Sequence, residues 1–276
     1  THIKPWFIQQ MKELVELEEE ILRSSPGRRA GTGRAGARAK AESGPAGLPP
    51  DLGRFGLIGE GIPVLYEDDD LVILDKPSGL VVQPGNRSSR GSLLDILDEY
   101  RSRTGQGEAS FPFTPVHRLD RETSGLLVVA KRRSAARLLS ETFSSGGAEK
   151  TYLAVTERPP RPDRGTIRAP LRVRKGSSSR AEVARKGKRA VTRYRTLKAL
   201  PGSGALLEVA IETGRTHQIR AHLASIGCPI VGDRKYGAGR SGRLRLHAWR
   251  LRLPRPGGGD AIEAVAPPPE GFESTW

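Results

Sequence analysis

His117-Arg118-Leu119-Asp120-Arg121-Glu122-Thr123-Ser124-Gly125, followed directly by Leu126-Leu127-Val128-Val129-Ala130, is the stretch on which the reading of this chain turns. The second half is a continuous aliphatic run of strand length, as expected of a buried strand. The first half sets Asp120 between two arginines at the lip of that rigid element, with cations close enough to favour its ionised form. On charge pattern alone a solvated ion cluster in a loop is the commoner origin of such a string, and the pattern by itself leaves both readings open.

Composition narrows the field. The chain has 276 residues and a formal net charge of +15. A basic excess of this size points to a polyanionic partner, nucleic acid first, with a generally Arg-rich proteome as the competing origin. Cys228 is the single cysteine, which excludes an internal disulfide and fits a reducing, cytoplasmic setting. Apolar runs are too short for a membrane-spanning helix, and the N-terminal segment lacks the apolar core of a signal peptide.

Three stretches follow from patterning. Residues 5–23 carry Phe7, Met11, Leu14, Ile21 and Leu22 at helical spacing, which predicts an amphipathic helix occupying residues 1–23. Residues 24–60, rich in Gly, Pro, Ala and Arg, predict a flexible basic linker. Residues 61–276 have the composition of a packed domain. Within it Leu65–Leu74 suggests strand, acidic turn, strand, and Lys76-Pro77-Ser78-Gly79 a turn before the apolar Leu80-Val81-Val82. Helices are expected over 93–102, capped by Ser92, over 134–143 and over 218–225. Strands are expected over 150–155, 191–197, 205–211 and 244–253. The elements intermix without a βαβ rhythm, so the fold class is α+β with a mixed sheet.

Charge is unevenly placed. Residues 158–198 hold fifteen Lys and Arg against Asp163 and Glu182. A solvated loop is the ordinary reading of such a run; its size and single sign favour an arm that touches phosphate, with Arg172, Arg174 and Lys175 as contacts. Two G-x-G-x-x-G strings, at 31–36 and 237–242, lack a strand–helix setting and match by chance among 33 glycines. His217 and His222 are five apart and Cys228 has no partner cysteine, so no metal site is expected. A second constellation is Thr213-Gly214-Arg215-Thr216-His217-Gln218-Ile219-Arg220-Ala221-His222. Here a glycine turn leads into a helix whose positive end holds Arg215, His217 and Arg220, suited to a phosphate or a carboxylate. Arg220 can reach a distant acid.

Taken together these strings resemble the RluA-type pseudouridine synthases. The segment 117–125 is similar to that family's H-R-L-D-x-x-T-S-G signature. In the same order come Asp75-Lys76-Pro77-Ser78-Gly79-Leu80, Lys150-Thr151-Tyr152-Leu153-Ala154-Val155, residues 214–222, Pro229-Ile230-Val231-Gly232-Asp233-Arg234-Lys235-Tyr236-Gly237, and Leu246-His247-Ala248. The likeness spans about residues 63–270. Residues 1–60 do not resemble the small RNA-binding domain that often precedes the catalytic one, and Glu157 stands where the family often has glycine.

The resemblance implies a largely antiparallel mixed sheet with flanking helices and a central cleft. It implies isomerisation of a uridine in ribosomal or transfer RNA, without metal or cofactor, by a monomer. Asp120 is then the nucleophile, attacking ribose C1′ or base C6 or assisting a glycal route. Arg220 pairs with Asp120, and Arg118 fills the space of the everted nucleotide. Tyr152 stacks on the target base, with removal of the C5 proton as a further role. Arg215 and His217 join in holding RNA, and Arg121 has no assigned role. The rivals are a non-catalytic RNA-binding or ribosome-assembly factor of the same fold, and a hydrolase using Asp120 and His117.

Overall fold

The computed structural model describes residues 57–58, 61–83, 91–105, 111–174, 179–237 and 242–273. All of them belong to one unit, Phe55–Trp276. The expected helix at 1–23 and most of the expected linker at 24–60 lie outside the described residues. Leu57–Ile58, inside that linker, forms a short strand.

The strands are β1 Leu57–Ile58, β2 Ile62–Glu67, β3 Leu71–Lys76, β4 Thr114–Pro115, β5 Ser124–Ala130, β6 Glu149–Thr156, β7 Arg164–Arg168, β8 Leu171–Arg174, β9 Arg180–Val183, β10 Val191–Leu200, β11 Gly204–Ile211, β12 Leu246–Leu253 and β13 Ile262–Val265. The helices are α1 Leu93–Thr104, α2 Arg133–Ser145 and α3 Gln218–Ser225. Eleven strands make one sheet in the order β1-β2-β3-β5-β12-β6-β11-β10-β7, with β13 beside β12 and β4 beside β5. β8 and β9 form a separate hairpin. The class is α+β with a mixed, largely antiparallel sheet, as the sequence indicates.

One joint in the large sheet is parallel. β5 and β12 meet with His247 opposite Ser124 and Ala248 opposite Gly125, while the other pairings are antiparallel. β5 is buried along its whole length, which explains the unbroken apolar run: both faces are covered, so no alternation appears. Asp120 lies in the turn that leads into β5 just before this joint, at the centre of the sheet. Gly125 has φ +107°, and a Cβ there would meet the Ala248 carbonyl oxygen at 2.2 Å. Only glycine lets the two backbones approach so closely.

The joint is pinned by a buried imidazole. The Ser124 hydroxyl lies 2.9 Å from His247 Nδ1, and His247 Nε2 lies 3.0 Å from the Ala266 carbonyl. Nε2–H therefore donates to Ala266, and Nδ1 accepts from Ser124. Burial drops the His247 pKa to about 4. The unfolded chain thus binds this proton over a pH range where the folded chain does not, and stability rises with pH across that range. Acidification from about pH 6.5 to 4 should remove about 3 kcal/mol through His247. Denaturant unfolding across that range should show His247→Gln with a shallower slope than the parent; equal slopes would rule out this proton.

The helices follow their sequence signals. At α1 the Ser92 hydroxyl accepts from the Asp95 N–H at 3.4 Å, and the Asp95 carboxylate accepts from the Ser92 N–H at 2.8 Å, a reciprocal cap. Gly105 ends it at φ 67°. Leu80-Val81-Val82 makes no strand; the Val81 carbonyl instead accepts from Leu93 N–H.

The basic stretch 158–198 differs most from expectation. Ahead of β10, whose strand was expected over 191–197, it holds β7, β8 and β9 rather than one loop. Arg172 and Arg174, like Arg193 and Arg195, are two apart, so each pair lines one side of its strand. Carboxylates take up part of this charge: Glu182 pairs with Arg172 at 2.8 Å and Arg174 at 3.6 Å.

Candidate active site

Asp120 sits in a turn closed by Thr123 N–H donating to its carbonyl at 3.1 Å. The turn is laced to the loop after β3. Lys76, wholly buried, donates through Nζ to the carbonyls of Pro77 at 2.9 Å, Leu80 at 3.0 Å and Arg121 at 3.1 Å. The Ser78 hydroxyl donates to the Glu122 carbonyl at 2.7 Å. Arg121 Nε donates to the Gly79 carbonyl at 3.0 Å, and the Gly79 N–H returns to the Arg121 carbonyl at 2.8 Å. The Lys-Pro-Ser-Gly string is therefore the other half of the Asp120 loop. Arg121, without a role from sequence, is one of its fasteners. Burial lowers the Lys76 pKa to about 8, with Asp120 and Asp75 pulling the other way.

From α3, on the far side of the central joint, Arg220 reaches Asp120 Oδ2 with Nη1 at 3.0 Å. Its other nitrogens are held by Asp233: Nε to Oδ2 at 2.8 Å and Nη2 to Oδ1 at 2.8 Å. Arg220 is 2% exposed. Burial works against its charge, but Asp233 outweighs that and holds its pKa above the usual value. Asp233 is pushed up by burial and brought below the usual carboxylate range by Arg220 and by the Lys235 and Tyr236 N–H groups. The bidentate fork leaves one N–H pair free to aim at Asp120.

Gln218 fixes the start of α3. Its amide donates to the Val191 carbonyl at 2.9 Å and Thr192 Oγ1 at 3.0 Å, and its oxygen accepts from Thr213 Oγ1 at 2.7 Å and Arg215 N–H at 3.1 Å. His217 caps the helix at φ 51°, the one positive φ of a non-glycine among the described residues. A strained backbone of this kind is kept where it places a side chain. Its Nε2 lies 3.8 Å from Asp120 Oδ2 and its Nδ1 3.0 Å from the Tyr236 hydroxyl. Burial lowers the His217 pKa, with the Asp120 charge opposing.

Tyr152, on β6, completes the cleft. Asp120, Tyr152, Arg118, Arg215, His217 and Arg220 all line it. Six of the residues expected from sequence thus come together from three separate segments. Tyr152 is 7% exposed; burial first, and then the Asp120 charge, push its phenol pKa up. Arg118 is exposed at the mouth. Arg172 and Arg174 do not line this cleft; they lie on the hairpin, which is tied to it through Tyr236, whose hydroxyl accepts from Ala181 N–H at 2.7 Å. Lys175 lies outside the described residues. Asp233 and Tyr236 had no role from sequence, although both sit in the quoted 229–237 string; nothing local shows that Asp233 meets Arg220.

His117 is set apart. Its Nε2 accepts from Val128 N–H at 3.0 Å and its ring stacks on Phe143 at 4.3 Å. Burial takes its pKa to about 3. It braces β5, so the pairing of Asp120 with His117 that a hydrolase reading called for is not formed. No cluster of three or more His, Cys, Asp or Glu among the described residues could hold a metal. No helix among them is long and apolar enough to cross a membrane.

A central sheet joint thus carries an aspartate held by a buried Arg–Asp pair, beside a buried tyrosine, at the wall of one cleft. A family model described as RNA pseudouridylate synthase matches residues 70–225, and the chain belongs to that family. It is 40% identical over 224 residues to ribosomal large subunit pseudouridine synthase D of Nitrosomonas europaea, an alignment covering 76% of this chain and 64% of that protein. An uncharacterized RNA pseudouridine synthase of Synechocystis is 36% identical over 235 residues, covering 81% of this chain and 71% of its own length. Among solved structures, human RNA pseudouridylate synthase domain containing 4 is similar with a TM-score of 0.63 and 29% identity, covering 76% of this chain and 89% of that one.

Proposed function

We propose that this chain isomerises a uridine in RNA to pseudouridine, with Asp120 as nucleophile. The observation that carries the reading is Arg220, locked by Asp233 and presenting a single N–H to Asp120 in a cleft walled by Tyr152. Such an arrangement keeps the carboxylate aimed before substrate arrives, which is the geometric requirement of covalent catalysis. The target base must leave its stack to reach Asp120; Tyr152 offers it an aromatic face, and Arg118 at the mouth fills the space it vacates. A phenol whose pKa is raised stays protonated near neutrality. That supports stacking over action as a phenolate base for Tyr152.

The expected outcome is that Tyr152→Phe retains turnover within about tenfold, whereas Tyr152→Leu loses stacking worth about 1–3 kcal/mol in kcat/KM. Parity of the two variants would remove stacking as the role. The likeness to a ribosomal large subunit enzyme supports ribosomal RNA as the substrate. Large-subunit ribosomal and transfer RNA transcripts incubated with the full chain, with pseudouridine mapped by carbodiimide-dependent reverse-transcription stops, test both points. Conversion in neither transcript overturns the reading and favours a non-catalytic RNA-binding factor.

A further inference from the structure

Lys150 is a buried cation that the reaction does not use. It lies on β6 two residues before Tyr152, so both side chains leave the same face of the strand, about 7 Å apart along it. The residue is 9% exposed. Its ammonium stands 5.4 Å from the Phe143 ring centroid, and Phe143 stacks on the neutral His117. No hydrogen bond or ion pair of this ammonium is found among the described residues.

The pocket it enters is walled by Arg118, Phe143, Tyr152, Glu212 and Arg215 as well. Arg118, Tyr152 and Arg215 also line the Asp120 cleft, so the two spaces adjoin. Glu212, the one carboxylate lining the pocket, is already held by Arg189 at 3.1 Å and Arg193 at 2.6 Å. Three cations thus line one opening, Arg215 with its Nε on the Arg189 carbonyl at 3.1 Å, and among the described residues no carboxylate there is left to meet them. Burial depresses the Lys150 pKa, the sign of a charge short of solvation. An aromatic face compensates only part of that. An anion entering the pocket would supply the rest, and RNA carries one at every nucleotide.

We propose that Lys150, with Arg118 and Arg215, forms a subsite for a backbone phosphodiester beside the everted nucleotide. The inference rests on the reading of the chain as an RNA uridine isomerase. Lys150 serves to seat the strand and takes no part in bond making.

The test uses the full chain and a large-subunit ribosomal RNA transcript. Lys150→Met keeps an apolar stem over Phe143 and removes the charge. KM should rise about tenfold with kcat nearly unchanged, and the slope of log binding constant against log salt should fall by about one. Lys150→Arg should restore both. A slope equal to the parent's, with or without a lower melting temperature, makes Lys150 a structural cation and overturns the subsite. Neutral methylphosphonates placed singly around the modified uridine provide a measurement on the unaltered protein. One of them should weaken binding about tenfold, and no effect at any position overturns the proposal. If the parent binds RNA but forms no pseudouridine, and Lys150→Met still lowers the slope, the functional reading fails while the subsite stands. Turnover with an unmoved slope has the opposite meaning.

Discussion

Asp120→Asn is expected to cut kcat for pseudouridine formation by at least about ten-thousand-fold while leaving fold and RNA affinity close to those of the parent. The amide is isosteric and still offers an oxygen to Arg220 Nη1, which now stands 3.0 Å from Oδ2. Arg220 keeps its charge partner, because two of its nitrogens are bound to Asp233. No unpaired buried charge is created, so the melting temperature should move little. What is lost is the anion to which the proposed mechanism gives the attack. Release of tritium from RNA labelled at uridine C5 under single-turnover conditions measures the step. Thermal melting and a gel-shift titration check the rest. Turnover within tenfold of the parent would remove Asp120 from the nucleophile role.

Arg220→Ala should be damaging in two separable ways. It strands the Asp233 carboxylate, whose side chain is fully buried, with only the Lys235 and Tyr236 N–H groups for company. Removing one partner of a buried pair costs about 3–5 kcal/mol, roughly 10 °C in melting temperature for a domain of this size. Turnover falls as well, because Asp120 loses its aiming donor. Arg220→Lys should not rescue, since one ammonium cannot span the three contacts of the fork. Replacing both partners, Arg220→Met with Asp233→Leu, should recover most of the stability and none of the turnover. An unchanged melting temperature in Arg220→Ala would refute the stabilising part. Turnover in the double variant would refute the catalytic part.

Much of the fold was legible because its signals are local. Ser92 with Asp95, and Gly105 after the last turn, are neighbours in sequence, so α1 shows its ends. The run 126–130 shows a strand covered on both faces. The basic stretch misled because its strands are short: β7, β8 and β9 run for only four or five residues, with cations alternating with apolar residues in β8 alone, and charge density masks the period. β7 and the β8–β9 hairpin emerge only once β10 and Tyr236 give them something to pair with.

The site divides in the same way. Asp120, Tyr152 and Arg220 stand in strings distinctive enough to be picked out one by one, and the sequence alone marked them as the candidate site and pointed to a polyanionic partner. The identity of their neighbours depended on tertiary structure. Asp233 as the clamp on Arg220, Arg121 and Lys76 as fasteners of the Asp120 loop, His117 as a brace and Lys150 as an unmatched cation all arise from contacts across sequence gaps. Spacing does not encode such contacts; the parallel joint of β5 and β12 and the register of β6 create them. A charged side chain announces its type in the sequence, but whether it is solvated, clamped or left waiting for an anion is set by the charges and dielectric that folding brings around it.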